Sequence, residues 1–249
     1  KDNPMSVKTF ELISTTENGV ELISYVALPE NASDDNPAAG ILVAPEWWGV
    51  VDHPKSVVER LAEAGYAAVA MDVYGEGKLT TDAAQANMWM EQVLADQDML
   101  MARCRLILND FSDQLSVDGD KLAAIGYCFG GKVVLDMARE GMPLKAVATF
   151  HGNPTPKQPA DKNFTAKVLV AHGRDDSMVS MDAIEGLKSE LDAADVDYTI
   201  DVYDNAKHGF TNPHADERAE KNEVDLGYNE AAAKQSWENM LEFMKANLA

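Results

Sequence analysis

Apolar residues along this chain follow two rhythms. Short unbroken apolar runs alternate with longer segments in which apolar positions recur every three or four residues, the marks of buried strands and surface helices. Val7 to Ser14 and Val20 to Leu28 are β-rich stretches on either side of Glu17-Asn18-Gly19. Asn-Gly between such stretches predicts an antiparallel hairpin, because both residues accept the positive φ of a tight turn. Pro29 to Ala39 reads as loop, and Gly40-Ile41-Leu42-Val43-Ala44 as a strand buried on both faces. That strand ends in the turn Pro45-Glu46-Trp47-Trp48-Gly49. Pro54 opens a helix through Ala64, which Gly65 closes, and Tyr66 to Val73 is another buried strand. Thr80 to about Gln114 is helical in composition, one helix or two. Leu122 to Ile125 is a strand, Lys132 to about Gly141 a helix, and Leu144 to Phe150 and Lys167 to Ala171 are strands. A helix from Ser180 to about Ala194 precedes an edge-side strand, Tyr198 to Tyr203. Thr211 to Asp225 reads as a charged loop, and Asn229 to Leu248 as an amphipathic helix with Trp237, Leu241, Met244 and Leu248 on one face.

Strands that alternate with helices predict an α/β chain: a mostly parallel central sheet with helices on both faces and an N-terminal antiparallel hairpin. With 249 residues and 46% hydrophobic composition, residues 1–249 form one domain in this reading. In such folds reactive groups collect past the carboxyl ends of strands, which places Glu46, Tyr74, Cys128, His151, Asp176 and His208 along one rim. Met88, Trp89, Met90, Met99 and Met101 read as core packing on a helix face rather than pocket lining.

Charge narrows the partners. The net charge of −21 repels nucleic acid and anionic lipid, so neither a nucleic acid nor a membrane is expected as a partner. No apolar run reaches membrane-spanning length. Cys104 and Cys128 make no disulfide framework, and an unoxidised Cys128 favours a reducing, cytoplasmic setting. Cys104 lies at helical spacing from Leu100 and Leu108 and reads as buried and inert. Lys1 to Pro4 ahead of Met5 reads as a tag remnant; export is the alternative if a leader preceded Lys1. The chain has no metal-ligand spacing and no phosphate-binding glycine loop, so no metal and no cofactor are expected. A monomer or small homo-oligomer is expected.

The candidate chemistry centres on Gly126-Tyr127-Cys128-Phe129-Gly130-Gly131, between an apolar strand and a helix. Strand, glycine-flanked nucleophile and helix in that order make a nucleophile elbow, which holds a side chain on a tight turn pointing into open space. Cys128 there sits at a helix N-terminus, where free N–H groups favour negative charge on sulfur. Nucleophilic catalysis also needs a base and a group that orients it. His208 is the preferred base. His172 reads as shaping a turn, His151 as a rim residue that packs or touches substrate, and His53 and His214 as ordinary loop residues. Asp176 is preferred over Asp175 as the orienting acid. The backbone N–H groups of Trp47 and Phe129 are the expected oxyanion donors. Glu46, between Pro45 and two tryptophans, needs a partner to offset desolvation, and Trp48, Tyr74 and His151 are candidate pocket residues.

These pieces resemble the dienelactone hydrolases (carboxymethylenebutenolidases). The resemblance runs from about Gly19 to the last helix, through Ala44-Pro45-Glu46-Trp47-Trp48-Gly49, Met71-Asp72-Val73-Tyr74, the elbow, His172 to Val179 and His208-Gly209-Phe210. It implies a single-domain α/β-hydrolase fold, a triad of Cys128, Asp176 and His208, no cofactor, and a small ester or lactone substrate opened through an acyl-thioester. It also implies that Glu46 keeps the cysteine quiet until substrate binds. Members that open dienelactone carry arginines where this chain has Glu76 and Asn212. Without that carboxylate clamp, Trp47, Trp48 and Phe129 point to an apolar acyl or aromatic ester. A peptidase or thioesterase of the same fold is the alternative, and a non-catalytic ligand-binding module the more distant one.

Overall fold

The computed structural model describes residues 6–249; the Lys1 to Pro4 reading lies outside them. Eight strands run in the order β1-β2-β4-β3-β5-β6-β7-β8, and seven helices are formed among the described residues. The sheet is mostly parallel with an antiparallel N-terminal part, as the alternating pattern predicts. Residue contacts divide the chain into two compact units, Lys1–Ala123 and Ala124–Ala249, with the boundary inside β5 (Val117–Tyr127).

In the first unit β1 (Val7–Thr15) and β2 (Glu21–Pro29) form the expected hairpin, paired from Val7↔Pro29 to Thr15↔Glu21. Gly19 takes φ +81° in its turn. β2 pairs antiparallel with β4 (Ala67–Ala70), and β4 parallel with β3 (Ala38–Ala44). α1 (Asp52–Glu63) starts two residues before Pro54 and buries Val57, Val58 and Leu61. The long helical segment is two helices, α2 (Ala83–Leu94) and α3 (Gln97–Ser112). Asp96 divides them: its side chain accepts from Met99 N–H, so it caps α3 rather than continuing α2. Core packing holds for Met101 but not for Met88, which is 55% exposed. Cys104 is fully buried.

In the second unit the end of β5 leads into α4 (Phe129–Arg139), and β6 (Ala146–Phe150), β7 (Lys167–Gly173) and β8 (Tyr198–Tyr203) pair in parallel. Ser180 caps α5 (Met181–Ala193) through Ala183 N–H. The expected loop 211–225 contains a helix, α6 (Ala215–Asn222). Its composition hides it, because Ala215 alone is buried; acidic residues in its first turn and Lys221 in its last complement the helix dipole. α7 (Glu230–Asn247) buries Ala232, Ser236, Met240 and Met244, a line one step away from the expected Trp237 and Leu241, which are half-buried. No helix among the described residues is long and apolar enough to cross a membrane.

Candidate active site

The elbow is built by close backbone approach. A Cβ on Gly126 would run into the carbonyl of Gly130, and one on Gly131 would come 2.8 Å from Gly152 Cα. Only glycine allows either packing. Cys128 is the N-cap of α4 at φ 57°, ψ −121°, a sparsely populated conformation that costs on the order of 1–3 kcal/mol and persists where surroundings impose it. Its N–H donates to Phe150 C=O at 2.9 Å, and its own C=O accepts from Gly131 N–H at 2.9 Å. These two bonds anchor the turn on both sides while the thiol stays partly exposed.

Two loops of the same unit complete the arrangement. His208, after β8, places Nε2 2.9 Å from Cys128 Sγ and Nδ1 2.8 Å from Asp176 Oδ2. Asp176 follows β7, and its other oxygen accepts from Met178 N–H and Val179 N–H at 2.8 and 2.9 Å. The carboxylate is therefore fixed by its own loop before it meets the imidazole. Asp175 is exposed, with its N–H on Ala206 C=O. Burial acts to lower the pKa of His208. The charge of the Cys128 sulfur and the hydrogen bonds to Asp176 and Cys128 outweigh it and hold the imidazole well above its ordinary value. His172 is buried at the end of β7; burial lowers its pKa, so it stays neutral near pH 7. His151 is fully buried at φ 43°, with Nε2 2.9 Å from Thr211 Oγ1 and its ring edge-on to His208 at 5.3 Å.

The remaining candidates lie in the first unit, on turns that follow β3 and β4. Glu46 is 5% exposed, and its Oε1 is 3.8 Å from His53 Nδ1. The loop reading of His53 is corrected: it belongs to the first turn of α1 and is buried. His214 is likewise not a loop residue but the N-cap of α6. Trp47 and Trp48 stack edge-on at 5.3 Å, and Tyr74 O–H donates to Trp47 C=O at 2.7 Å, pinning that turn. Tyr74 is held in turn by a buried knot on Asp72. Its carboxylate accepts from the N–H groups of Ile23, Gly75 and Gly77, at 2.9, 2.9 and 2.8 Å. Arg103 Nη1 donates to the carbonyls of Val73 and Tyr74, both at 2.8 Å. Sequence reading missed Arg103, because nothing local in α3 marks a partner thirty residues earlier.

A buried acid, an imidazole and a partly exposed thiol in one hydrogen-bonded line can move a proton between sulfur and an attacked group. Comparison with known proteins gives the family of the chain. Residues 22–248 match the dienelactone hydrolase family. A dienelactone hydrolase-like promiscuous phosphotriesterase from metagenomic libraries is 31% identical at a TM-score of 0.90, covering 98% of this chain and 99% of that one. A protein named m3DLH is 34% identical at the same TM-score and coverage. A Salmonella typhimurium protein provisionally named a carboxymethylenebutenolidase is 28% identical over 250 residues, 93% of this chain and 85% of that protein.

Proposed function

Because the chain belongs to the dienelactone hydrolase family, we propose that it hydrolyses small neutral carboxylic esters or lactones through an acyl-thioester on Cys128. The observation that carries this reading is the line Sγ–Nε2 and Nδ1–Oδ2, at 2.9 and 2.8 Å. The raised pKa of His208 favours the imidazolium that forms when it takes the thiol proton. The thiolate attacks the carbonyl carbon, a C–S bond forms, and the oxyanion accepts a hydrogen bond from Phe129 N–H at the start of α4. Collapse breaks the ester C–O bond, and imidazolium gives its proton to the departing alkoxide. Neutral His208 then takes a proton from water, the resulting hydroxide attacks the thioester, and the C–S bond breaks to restore the ion pair. The acid product loses its proton to solvent. Trp47 N–H as second donor and Trp48, Tyr74 and His151 as substrate contacts stay assignments from the sequence pattern.

Neutral substrates are favoured because Glu76 and Asn212 replace the arginines that would hold a carboxylate. A second reading, neutral phosphotriester cleavage by the same thiolate, draws on the name of the relative that is 31% identical. A panel of activated neutral ester, dienelactone, thioester, peptide and phosphotriester, run with and without iodoacetamide, tests both. The neutral ester is expected to turn over fastest, dienelactone slower, and iodoacetamide to stop both. Peptide or thioester as the best substrate overturns the esterase reading.

The guarding role of Glu46 has its own test. Glu46→Gln is expected to change the rate at which iodoacetamide alkylates Cys128. An identical rate across pH removes Glu46 from the mechanism.

A further inference from the structure

Building on that reading, we propose that Asp225 is a positioning residue: its carboxylate clamps the loop that carries Asp176 to the loop that carries His208. Asp225 lies after α6, in a stretch that runs beside the histidine loop. Gly227 N–H donates to His208 C=O at 3.2 Å and Asn229 N–H to Phe210 C=O at 3.1 Å. At the head of this strap, the Asp225 carboxylate reaches in two directions. Ser177, the neighbour of Asp176, donates its hydroxyl to Oδ2 at 2.6 Å. Lys207, the neighbour of His208, donates Nζ to Oδ1 at 2.9 Å. Each oxygen thus holds the residue next to one member of the Asp176–His208 pair.

The two loops also meet through the Asp176–His208 bond itself and at their bases, where Asp175 N–H bonds Ala206 C=O at 3.0 Å, Arg174 N–H bonds Tyr203 C=O at 2.9 Å and Arg174 Nε pairs with Asp204. The clamp closes their outer ends. Gly227 leaves Lys207 its path: a Cβ there would lie 3.2 Å from Lys207 Cδ. The hydrogen bond from Ser177, then that from Lys207, lowers the pKa of Asp225, so the carboxylate is charged at any pH where the enzyme would work. Asp175 and Asp216 also attract Lys207. With Asp225 neutral, the ammonium is free to turn toward them and release the loop.

The test compares wild type with Asp225→Asn, Ser177→Ala and Lys207→Gln, using an activated neutral ester and the NMR titration of His208. The groups that face His208 are Cys128, Asp176, His151 and His172. None of them is altered. Asp225→Asn is expected to lower kcat by about threefold to tenfold at constant KM and constant thermal midpoint. It also moves the His208 titration downward as the Asp176 bond loosens. Because the pair is exposed, wild type in about 1 M salt approaches the variant. Adding Ser177→Ala to Asp225→Asn has no further effect if both act through one clamp. Wild-type kcat with an unmoved His208 titration in Asp225→Asn overturns the proposal, and so do fully additive effects. The titration reads the clamp without any substrate. A downward shift in a protein with no esterase activity supports the clamp and sinks the esterase reading. An unmoved titration with active esterase does the reverse.

Discussion

Cys128→Ala is expected to stop ester turnover, by at least about 10³-fold, with the fold unchanged. The size follows from the loss of the atom that forms the intermediate, the sulfur that lies 2.9 Å from His208 Nε2. Folding is spared because alanine brings the same Cβ into the φ 57° turn and removes only the sulfur. The variant also reports on the imidazole. Burial pushes the pKa of His208 down, and the sulfur's charge is the next largest influence, pushing it up. Without the sulfur, burial is opposed by Asp176 alone, so the His208 titration moves toward lower pH. Cys128→Ser falls between the two, keeping weak turnover because oxygen occupies the same position but ionises far less readily. Turnover equal to wild type in Cys128→Ala would exclude the cysteine mechanism. Lost turnover with an unmoved His208 titration would exclude the ion pair while keeping the nucleophile.

The elbow was legible in sequence because its requirement is local. Gly126 avoids the Gly130 carbonyl, backbone that the turn itself brings near, so its spacing from Cys128 records the geometry directly, whereas Gly131 makes room for Gly152 from the segment after β6. The choice of Asp176 over Asp175 was legible only in part. Two adjacent aspartates differ in which one turns inward, and the backbone N–H groups of Met178 and Val179 decide it. Other features depend on tertiary partners and leave weak local traces. Glu46 was read as a carboxylate in need of a partner, but nothing in the spacing pointed to His53, in the first turn of α1. α6 looked like loop because a helix that buries a single alanine carries no apolar stripe. The division of α2 from α3 did have a signal, Asp96 followed by Met99 N–H at capping distance, but uniform helical composition on both sides masked it. Arg139 belongs to the same group of tertiary features, and its consequences are large.

Arg139→Met is expected to destabilise the protein by about 3–5 kcal/mol, through the charges it leaves behind. Arg139 ends α4, the helix that begins at the elbow, and its guanidinium is nearly fully buried. Nη1 donates to Asp136 Oδ1 at 2.9 Å, Nε and Nη2 donate to the two oxygens of Glu190 on α5, both at 2.8 Å, and Nη2 also reaches Pro154 C=O at 2.6 Å. Lys132 Nζ donates to the other oxygen of Asp136 at 2.9 Å and to Thr155 C=O at 2.9 Å, and Glu190 accepts from Ala160 N–H at 2.8 Å. One guanidinium therefore joins α4, α5 and the loop after β6. The spacing Lys132, Asp136, Arg139 is readable on one helix face, but Glu190 lies 51 residues further on. Without Arg139, Asp136 keeps Lys132 as counter-charge, whereas the side chain of Glu190 is 7% exposed and loses its bidentate partner. The loss should thus centre on Glu190. Adding Glu190→Gln to Arg139→Met recovers part of the stability, although each single change is destabilising. Urea unfolding of the two single variants and the double variant measures this. A double variant less stable than both singles would show that the network acts through packing of the arginine stem, not through the buried charge it neutralises.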